Sequence, residues 1–253
     1  MIRLPRVPVP EQARDLLARR TRNVEEAGGT SRAARTEWER AHAPKKHVRT
    51  ALEGMARGAV RCMYCDDSRA TDIDHFEPLE RAPLRAFEWL NHLLACSHCN
   101  SNAKREQYPV DGDGNCLLVD PTAEDPADHL RLLLHTGEYA AVADSAKGEE
   151  TIEVFGLNRP DLVKGRQDAF HRARSNLRDW HQLRKQADHE AAREAARVAQ
   201  ALLDSPFVDV VHVMARLTPA VALIVVGPLT VPALDAWKAE GGPWARWTAG
   251  WAP

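Results

Sequence analysis

Four cysteines in two identical pairs have the most specific spacing for chemistry in this sequence. Cys62 and Cys65 form one Cys-x-x-Cys pair, Cys96 and Cys99 form a second after thirty intervening residues, and Cys116 stands apart. A tight turn at each pair lets two thiolates reach the same tetrahedral ion. Redox or simply buried cysteines are the alternative, but a redox pair rarely comes twice in one chain. We therefore expect these four cysteines to hold one structural Zn²⁺ ion.

A zinc site closed by four thiolates has no open coordination position, so any catalysis must come from other residues. Between the two pairs lie the segment Asp72-Ile-Asp-His-Phe-Glu-Pro78 and, further on, Asn91, and Asn100 follows the last cysteine. Histidine suits general-base chemistry because its ordinary pKa lies near neutrality. Carboxylate and amide oxygens suit a hard cation such as Mg²⁺. An Asp-His dipeptide alone is more often a structural pair, so the surrounding pattern decides the interpretation.

That pattern resembles the HNH endonuclease motif, in which Cys-x-x-Cys, Asp-His-x-x-Pro, Asn and a second Cys-x-x-Cys precede a metal-binding residue. The resemblance covers Cys62 to Lys104 and implies a ββα-metal (His-Me finger) core that hydrolyses phosphodiester bonds. It implies that His75 is the general base and that Asn91 steadies the loop. It also implies that Asp74 and Asn100 bind a catalytic Mg²⁺ or Mn²⁺ ion.

Several assignments within the motif stay open. The third motif residue, often histidine in that family, is Asn100 here, and His98 could be the ligand instead or only a knuckle side chain. Asp72 could support the site or lie on the exposed face of a strand. Lys104 is expected to add a phosphate contact. DNA is the expected substrate, RNA stays open, and a zinc-stapled nucleic-acid- or protein-binding module with a vestigial nuclease site is the alternative function.

More loosely, segments outside the motif resemble bacterial PtuB-like HNH proteins of Septu anti-phage defence systems. These segments include residues 2–6, 118–121, 151–158 and 205–210. The resemblance implies an anti-phage role and a partner ATPase, encoded in the same defence operon, that restrains or targets the nuclease.

The elements that must position these residues are expected to form a mainly helical α+β protein. Helices are predicted from Pro10 to Gly28, from Ser31 to about Ala41 and from Val48 to about Arg57, then a strand around Ile73 and a short helix ending near Lys104. Apolar residues at helical spacing predict one long helix from residue 160 to about residue 203. The chain thus divides into a basic N-terminal helical segment (1–58), the HNH core (59–108), an acidic loop-rich extension (109–158) and a C-terminal helical region (159–253).

Charge is unevenly distributed along the sequence, with a basic segment on the N-terminal side of the motif. The whole chain has a net charge of only -2, but residues 1–61 hold fourteen basic and seven acidic residues, whereas residues 105–150 hold three and eleven. Basic helices can contact nucleic-acid phosphates, although solvated arginines and lysines are an equally ordinary explanation. Lys45, Lys46 and Arg49 are the candidate DNA contacts in this segment.

No apolar stretch predicts a membrane segment. Arginines and prolines interrupt the first residues, and the most apolar run, residues 220–227, is too short to cross a bilayer and is expected to be buried in the core. We therefore expect a cytoplasmic protein with no membrane partner. The C-terminal tryptophans Trp237, Trp244, Trp247 and Trp251 are expected in the core, with a docking surface as the alternative.

Overall fold

The computed structural model of the chain describes residues 1–9, 11–56 and 58–241, and within them the protein is mainly helical with a few short strands. The α-helices are α1 (Glu11–Glu26), α2 (Ser31–Arg40), α3 (His42–Glu53), α4 (Ala146–Val154), α5 (Pro160–Arg184), α6 (His189–Asp204), α7 (Val208–Arg216), α8 (Pro219–Val225) and α9 (Val231–Ala239). The strands are β1 (Asp72–His75), β2 (His92–Ala95), β3 (Leu130–Leu133) and β4 (Glu138–Ala141). The predicted predominance of helix is confirmed.

The described residues divide into two compact units. The first contains residues 1–56 apart from residue 10, together with residues 60–131 and 140–158. The second contains residues 58–59, 132–139 and 159–241. Every site residue predicted from the sequence lies in the first unit, so that unit is the one relevant to chemistry.

Strands β1 and β2 form the antiparallel sheet of the first unit. Asp72 lies opposite Ala95 and His75 lies opposite His92. The loop between the strands contains two short 3₁₀ turns, Pro83–Phe87 and Trp89–Asn91. Soon after β2 the chain enters a seven-residue π-helix, His98–Lys104. The order in this region is strand, long loop, strand, helix.

Two consecutive glycines separate α1 from α2. Gly28 and Gly29 have φ angles of 94° and 64°, which strain residues that carry a side chain. Immediately afterwards the Thr30 side chain accepts a hydrogen bond from Ala33 N and so caps α2. The sharp turn lets α1 and α2 pack against each other, and both also pack against the turn Pro83–Phe87.

Helix α3 begins earlier than its apolar spacing predicted, at His42 rather than Val48, and it ends at Glu53. Its buried residues include Val48 and Leu52, and the helix packs against β2. The same helix carries Lys45, so its position fixes where the predicted basic residues lie.

The acidic extension contributes to the core of the first unit through α4 and the residue after it. The ring of Phe155 stacks on Tyr64 with centroids 4.0 Å apart. The Thr151 hydroxyl accepts a hydrogen bond from Val119 N at 2.9 Å. The Phe155 contact ties this extension to the segment that contains the first cysteine pair, and the Thr151 bond joins α4 to an earlier part of the extension itself.

The single long helix predicted for residues 160–203 is wrong. The structure has two helices, α5 and α6, which pack against each other. Asp188 breaks the helix because its carboxylate accepts hydrogen bonds from Glu190 N and Ala191 N, which starts α6. The apolar stripe is buried through Trp180, but Ala187, which was assigned to the same stripe, is exposed.

The apolar run at residues 220–227 is not the buried core segment that was predicted. Ile224 is 80% exposed and Leu223 is 53% exposed, whereas Ala222 and Val226 are buried. The run forms the short helix α8, and only one of its faces packs inward. Hydrophobicity alone could not reveal how many faces of this helix meet a neighbour.

Of the four C-terminal tryptophans, Trp237 is buried as predicted and meets the ring of Trp180 edge-on at 5.0 Å. Trp244, Trp247 and Trp251 lie outside the described residues. Within the described part of the chain, no single helix has the length and apolarity needed to cross a membrane, and one sharply bent pair, α6 with α7, reaches them jointly.

Candidate functional site

The four paired cysteines converge in the first unit. Their sulfur atoms all lie within 4.8 Å of one another, all four residues are buried, and the sulfurs of Cys65 and Cys96 are 3.9 Å apart. In a tetrahedral zinc site with Zn–S bonds of about 2.3 Å, the sulfurs are separated by about 3.8 Å. The predicted cluster is confirmed, and it could bind a metal ion such as zinc.

Local backbone geometry explains why each pair can present both sulfurs. In the first knuckle, Cys62 O accepts a hydrogen bond from Asp66 N, and Asp66 has a positive φ of 59°. In the second knuckle, Cys99 N donates to the sulfur of Cys96 at 3.4 Å. Burial raises the pKa of the Cys62 thiol well above its ordinary value. A dication at the centre of the cluster would favour the thiolate instead.

The first unit also has a cleft of about 470 Å³ that gathers three of the predicted site residues, Asp74, His75 and Asn100. Asp74 and His75 end strand β1, and Asn100 lies on the π-helix His98–Lys104. Cys96 follows β2 directly and Cys99 lies within the π-helix, and both share a cluster with Cys62 and Cys65. The cysteine cluster therefore adjoins the helix that contributes Asn100 to the cleft.

The His75 ring is fixed by one hydrogen bond. Its Nε2 lies 3.0 Å from Ala86 O in the turn Pro83–Phe87. A carbonyl oxygen only accepts, so Nε2 carries the proton and Nδ1 keeps its lone pair. Burial lowers the pKa of His75 to about 4. A neutral imidazole with a lone pair on Nδ1 is the form that can accept a proton.

Asp74 is 3% exposed and both of its carboxylate oxygens have partners. Its Oδ2 accepts a hydrogen bond from the Tyr64 hydroxyl at 2.5 Å, and its Oδ1 lies 3.2 Å from the Lys104 ammonium. Burial raises the pKa of Asp74, although the Lys104 charge opposes this shift. The carboxylate is therefore held rigidly at the floor of the cleft.

Lys104 is placed differently from the sequence-based expectation of a phosphate contact. Its side chain is fully buried, and its ammonium also donates to His75 O at 2.8 Å. An ammonium enclosed in this way is not accessible to a nucleic-acid phosphate. The lysine instead joins the π-helix to the end of β1, which sequence spacing could not reveal.

Asn100 has an amide oxygen, which is a ligand of the kind that hard cations prefer. Its Nδ2 donates to the Asp72 carboxylate at 3.2 Å, which orients the amide. The side-chain atom that remains to bind a cation is Oδ1. Asp72 thus supports the site residue Asn100. His98 is exposed and is not among the residues that line the cleft. Asn100 and Asp74 offer few oxygen ligands, which fits Mg²⁺ only if water and substrate phosphate complete its coordination.

Asn91 lies behind the cleft, fully buried. Its Oδ1 accepts from Glu77 N at 2.7 Å, and its Nδ2 donates to Glu77 O at 3.0 Å and to Arg85 O at 3.1 Å. These bonds join the two ends of the loop that holds the Ala86 carbonyl. The expected loop-steadying role stays a prediction, and this is the geometry by which it would operate.

Sequence reasoning missed the aromatic residues around His75. Trp38 meets the His75 ring edge-on at 4.5 Å, stacks on His92 at 5.1 Å and packs on Phe87 at 5.5 Å. Trp38 comes from α2, far from the motif in sequence, and no spacing connects it to His75. The only indication in the sequence was that Trp38 is an aromatic residue on one of the basic helices.

Arg6 belongs to the segment 2–6 noted in the sequence, but no structural role was predicted for it. Its guanidinium donates to the backbone oxygens of Leu90 at 3.0 Å and His92 at 2.8 Å, and its Nε donates to the Thr122 hydroxyl at 2.8 Å. Burial lowers the pKa of Arg6. This residue holds the chain where it enters β2.

A basic groove of about 370 Å³ adjoins the cleft and shares Trp38 and Ile73 with it. Its remaining lining residues are basic or imidazole side chains, namely His42, Lys45, Lys46 and Arg49. Lys46 is exposed, whereas Arg49 donates to Ala70 O and Thr71 O. The structure brings the three predicted basic residues together, with Lys46 the most accessible.

Comparison with known proteins gives two curated relatives. No profile of a known protein family matches the chain. The chain is 27% identical over 148 residues to the Septu protein PtuB of Bacillus mycoides (strain KBAB4), which covers 47% of this chain and 49% of that protein. It is 25% identical over 124 residues to the Septu protein PtuB of Bacillus thuringiensis, covering 47% and 44% respectively. The chain therefore spans about half the length of the curated relatives it matches, and its similarity is to Septu PtuB proteins.

Proposed function

We propose that this chain is an HNH-type endonuclease that hydrolyses phosphodiester bonds of DNA with a divalent cation. The observation that carries the proposal is that Asp74, His75 and Asn100, the three residues that the motif assigns to catalysis, line one cleft. The adjoining basic groove supports a polyanionic substrate, because lysines beside a cleft attract phosphates. The cysteine cluster also supports the proposal, because the motif includes two cysteine pairs that bind one structural ion.

In the proposed reaction, His75 takes a proton from the water that attacks the phosphorus atom. Ala86 O holds the proton on Nε2, so Nδ1 is the basic atom. Asp74 and Asn100 would hold the catalytic cation, with Tyr64 and Asp72 orienting their side chains. When bound, that cation supplies Lewis-acid stabilisation of charge on the phosphate and on the departing oxygen.

The cleft and the adjoining basic groove together suggest where a DNA strand would lie. A scissile phosphate in the cleft would place the flanking nucleotides along the basic groove, near Lys45 and Lys46. Contacts of this kind position the backbone and do not read base sequence. We therefore propose that the groove binds DNA with little preference for base sequence.

The test is cleavage of supercoiled plasmid and of RNA, in parallel, by protein whose zinc content has been measured. Cleavage of DNA with Mg²⁺ or Mn²⁺, and none with EDTA, is expected. His75→Ala should lower the cleavage rate by about 10²–10⁴-fold. His189→Ala, which changes an exposed histidine in the second unit, is the matched control. Cleavage that survives His75→Ala would contradict the proposal, and cutting of RNA alone would reassign the substrate.

The alternative is a zinc-stapled nucleic-acid- or protein-binding module with a vestigial nuclease site. One observation favours it: both oxygens of Asp74 already have partners, and one partner is the Lys104 ammonium. A cation next to that ammonium would be repelled. Metal-independent DNA binding without cleavage would support this alternative.

The relatives suggest a biological setting. Similarity to Septu PtuB proteins supports a role in anti-phage defence, and we propose that the chain acts with an ATPase encoded in the same operon. Co-expression of the chain with its neighbouring gene product, followed by purification through one tag, tests this partnership. Two proteins that elute separately at micromolar concentration would contradict a stable complex.

A further inference from the structure

We infer that His92 is a positioning residue for His75, because both imidazoles donate to the same carbonyl oxygen and His92 thereby fixes the acceptor that sets the His75 tautomer. The inference rests on the proposed nuclease function, since the tautomer matters for reaction only if His75 is the base. It assigns a role to a side chain that lies outside the motif residues.

The shared acceptor is Ala86 O. The Nε2 atoms of His75 and His92 each lie 3.0 Å from it. A carbonyl oxygen has two lone pairs and no proton, so it can accept from both rings, and each ring must then carry its proton on Nε2. One carbonyl therefore determines the tautomer of both histidines.

Their positions in the sheet make this arrangement possible. His75 ends β1 and His92 begins β2, and the two residues are directly opposite each other in the ladder. The ring centroids are 5.2 Å apart and the planes are inclined by 63°. The pair thus meets the turn Pro83–Phe87, which presents Ala86 O, from two adjacent strands.

His92 cannot itself serve as the base. The residue is fully buried, and its Nδ1 is enclosed without a hydrogen-bond partner among the described residues. The Trp38 ring stacks on it with the planes inclined by 24°. His75 is partly exposed and lines the cleft. The two histidines therefore have different roles. His75 lines the cleft, and His92 holds the Ala86 carbonyl in place.

The loss of His92 would leave the carbonyl with one donor. The turn that carries Ala86 O could then rotate, and His75 could place its proton on Nδ1 instead, which removes the lone pair that acts as base. A displacement of about 1 Å of a reacting group can cost about 10²-fold in rate. Substrate binding, which we propose depends on the groove lysines Lys45 and Lys46, should change little.

The test compares His92→Leu with His92→Gln in the zinc-loaded full chain. Leucine fills a similar volume without a donor, whereas the glutamine amide can reach Ala86 O as Nε2 does. We expect His92→Leu to lower kcat between about tenfold and about a hundredfold at unchanged KM. Nitrogen NMR of labelled histidine should show the His75 proton on Nε2 in the unsubstituted chain and a mixture of tautomers in His92→Leu. His92→Gln should restore both properties.

An unchanged kcat and an unchanged His75 tautomer in His92→Leu would overturn the inference. Equal impairment of the Leu and Gln variants at equal thermal stability would also overturn it, since that result indicates packing alone. If His92→Leu does not fold, Gln and Asn form the same comparison, because the shorter Asn amide does not reach Ala86 O. If the unsubstituted chain cleaves no nucleic acid, the nuclease proposal fails, while the NMR comparison still tests the hydrogen bond.

Discussion

Asn91 offers the sharpest test of how the loop around the cleft is held. Its side chain makes three hydrogen bonds to the backbone of Glu77 and Arg85, and it is fully buried. The net contribution of one such bond is about 0.5–1.5 kcal/mol, so three sum to about 1.5–4.5 kcal/mol. We therefore expect Asn91→Ala to lower the free energy of unfolding of the first unit by about 2–4 kcal/mol.

Asn91→Asp sharpens this prediction because it preserves size. The remaining oxygen can still accept from Glu77 N, but a carboxylate oxygen would face the carbonyls of Glu77 and Arg85 in place of two N–H donors. We expect a loss at least as large as that of the alanine variant. Asn102→Ala, at an exposed asparagine on the same π-helix as Asn100, is the control and should change stability by less than about 0.5 kcal/mol.

Urea denaturation with zinc present measures these changes, and amide hydrogen exchange locates them. Exchange should accelerate across residues 76–91 and stay unchanged in α5, which belongs to the second unit. A loss below about 1 kcal/mol in both Asn91 variants would contradict this prediction. The loop would then be held by contacts other than this amide.

The other predictions concern the metal cluster, the buried lysine and the groove. Cys99→Ser, or removal of zinc by a chelator, should unfold the first unit, because closing the cluster contributes directly to folding; soluble, folded protein without zinc, seen by circular dichroism, would contradict this. Lys104→Met should cost about 3–5 kcal/mol in urea denaturation, because it leaves the buried Asp74 carboxylate unpaired; a loss below about 1 kcal/mol would contradict the pairing. Lys46→Ala should reduce the salt dependence of DNA affinity by about one unit of slope, measured by fluorescence anisotropy, while Lys185→Ala, in the second unit, leaves the slope unchanged.

Short-range patterns in the sequence predicted the parts of the site that depend on spacing. Two Cys-x-x-Cys pairs can bind the same ion only if their sulfurs lie close together, and the four sulfurs lie within 4.8 Å of one another. Asp74 and His75 were placed on a strand, and they end β1. Asn100 was placed directly after the last cysteine at the start of a helix, and it lies on the π-helix.

Features that depend on tertiary contacts were not predictable in this way. Lys104 is the last residue of the motif region, and nothing in the sequence indicates that its ammonium pairs with a buried Asp74. Apolar residues at helical spacing continue in the sequence through the break between α5 and α6, so the pattern predicted one helix. Asp188 is a residue type that commonly caps a helix N-terminus, and it could have indicated that a new helix begins there. Trp38 reaches His75 only because α2 packs on the turn Pro83–Phe87.

In the proposed nuclease, one cleft brings together His75, a divalent cation and a scissile phosphate. A crystal structure of the His75→Ala variant with a DNA oligonucleotide and Mn²⁺, using anomalous scattering to find the ion, tests this arrangement most directly. We expect a manganese peak within bonding distance of Asn100 Oδ1 and the Asp74 carboxylate, with a phosphate oxygen in its coordination sphere and zinc at the cysteines. Manganese absent from the cleft, with DNA bound on a different surface, would contradict it.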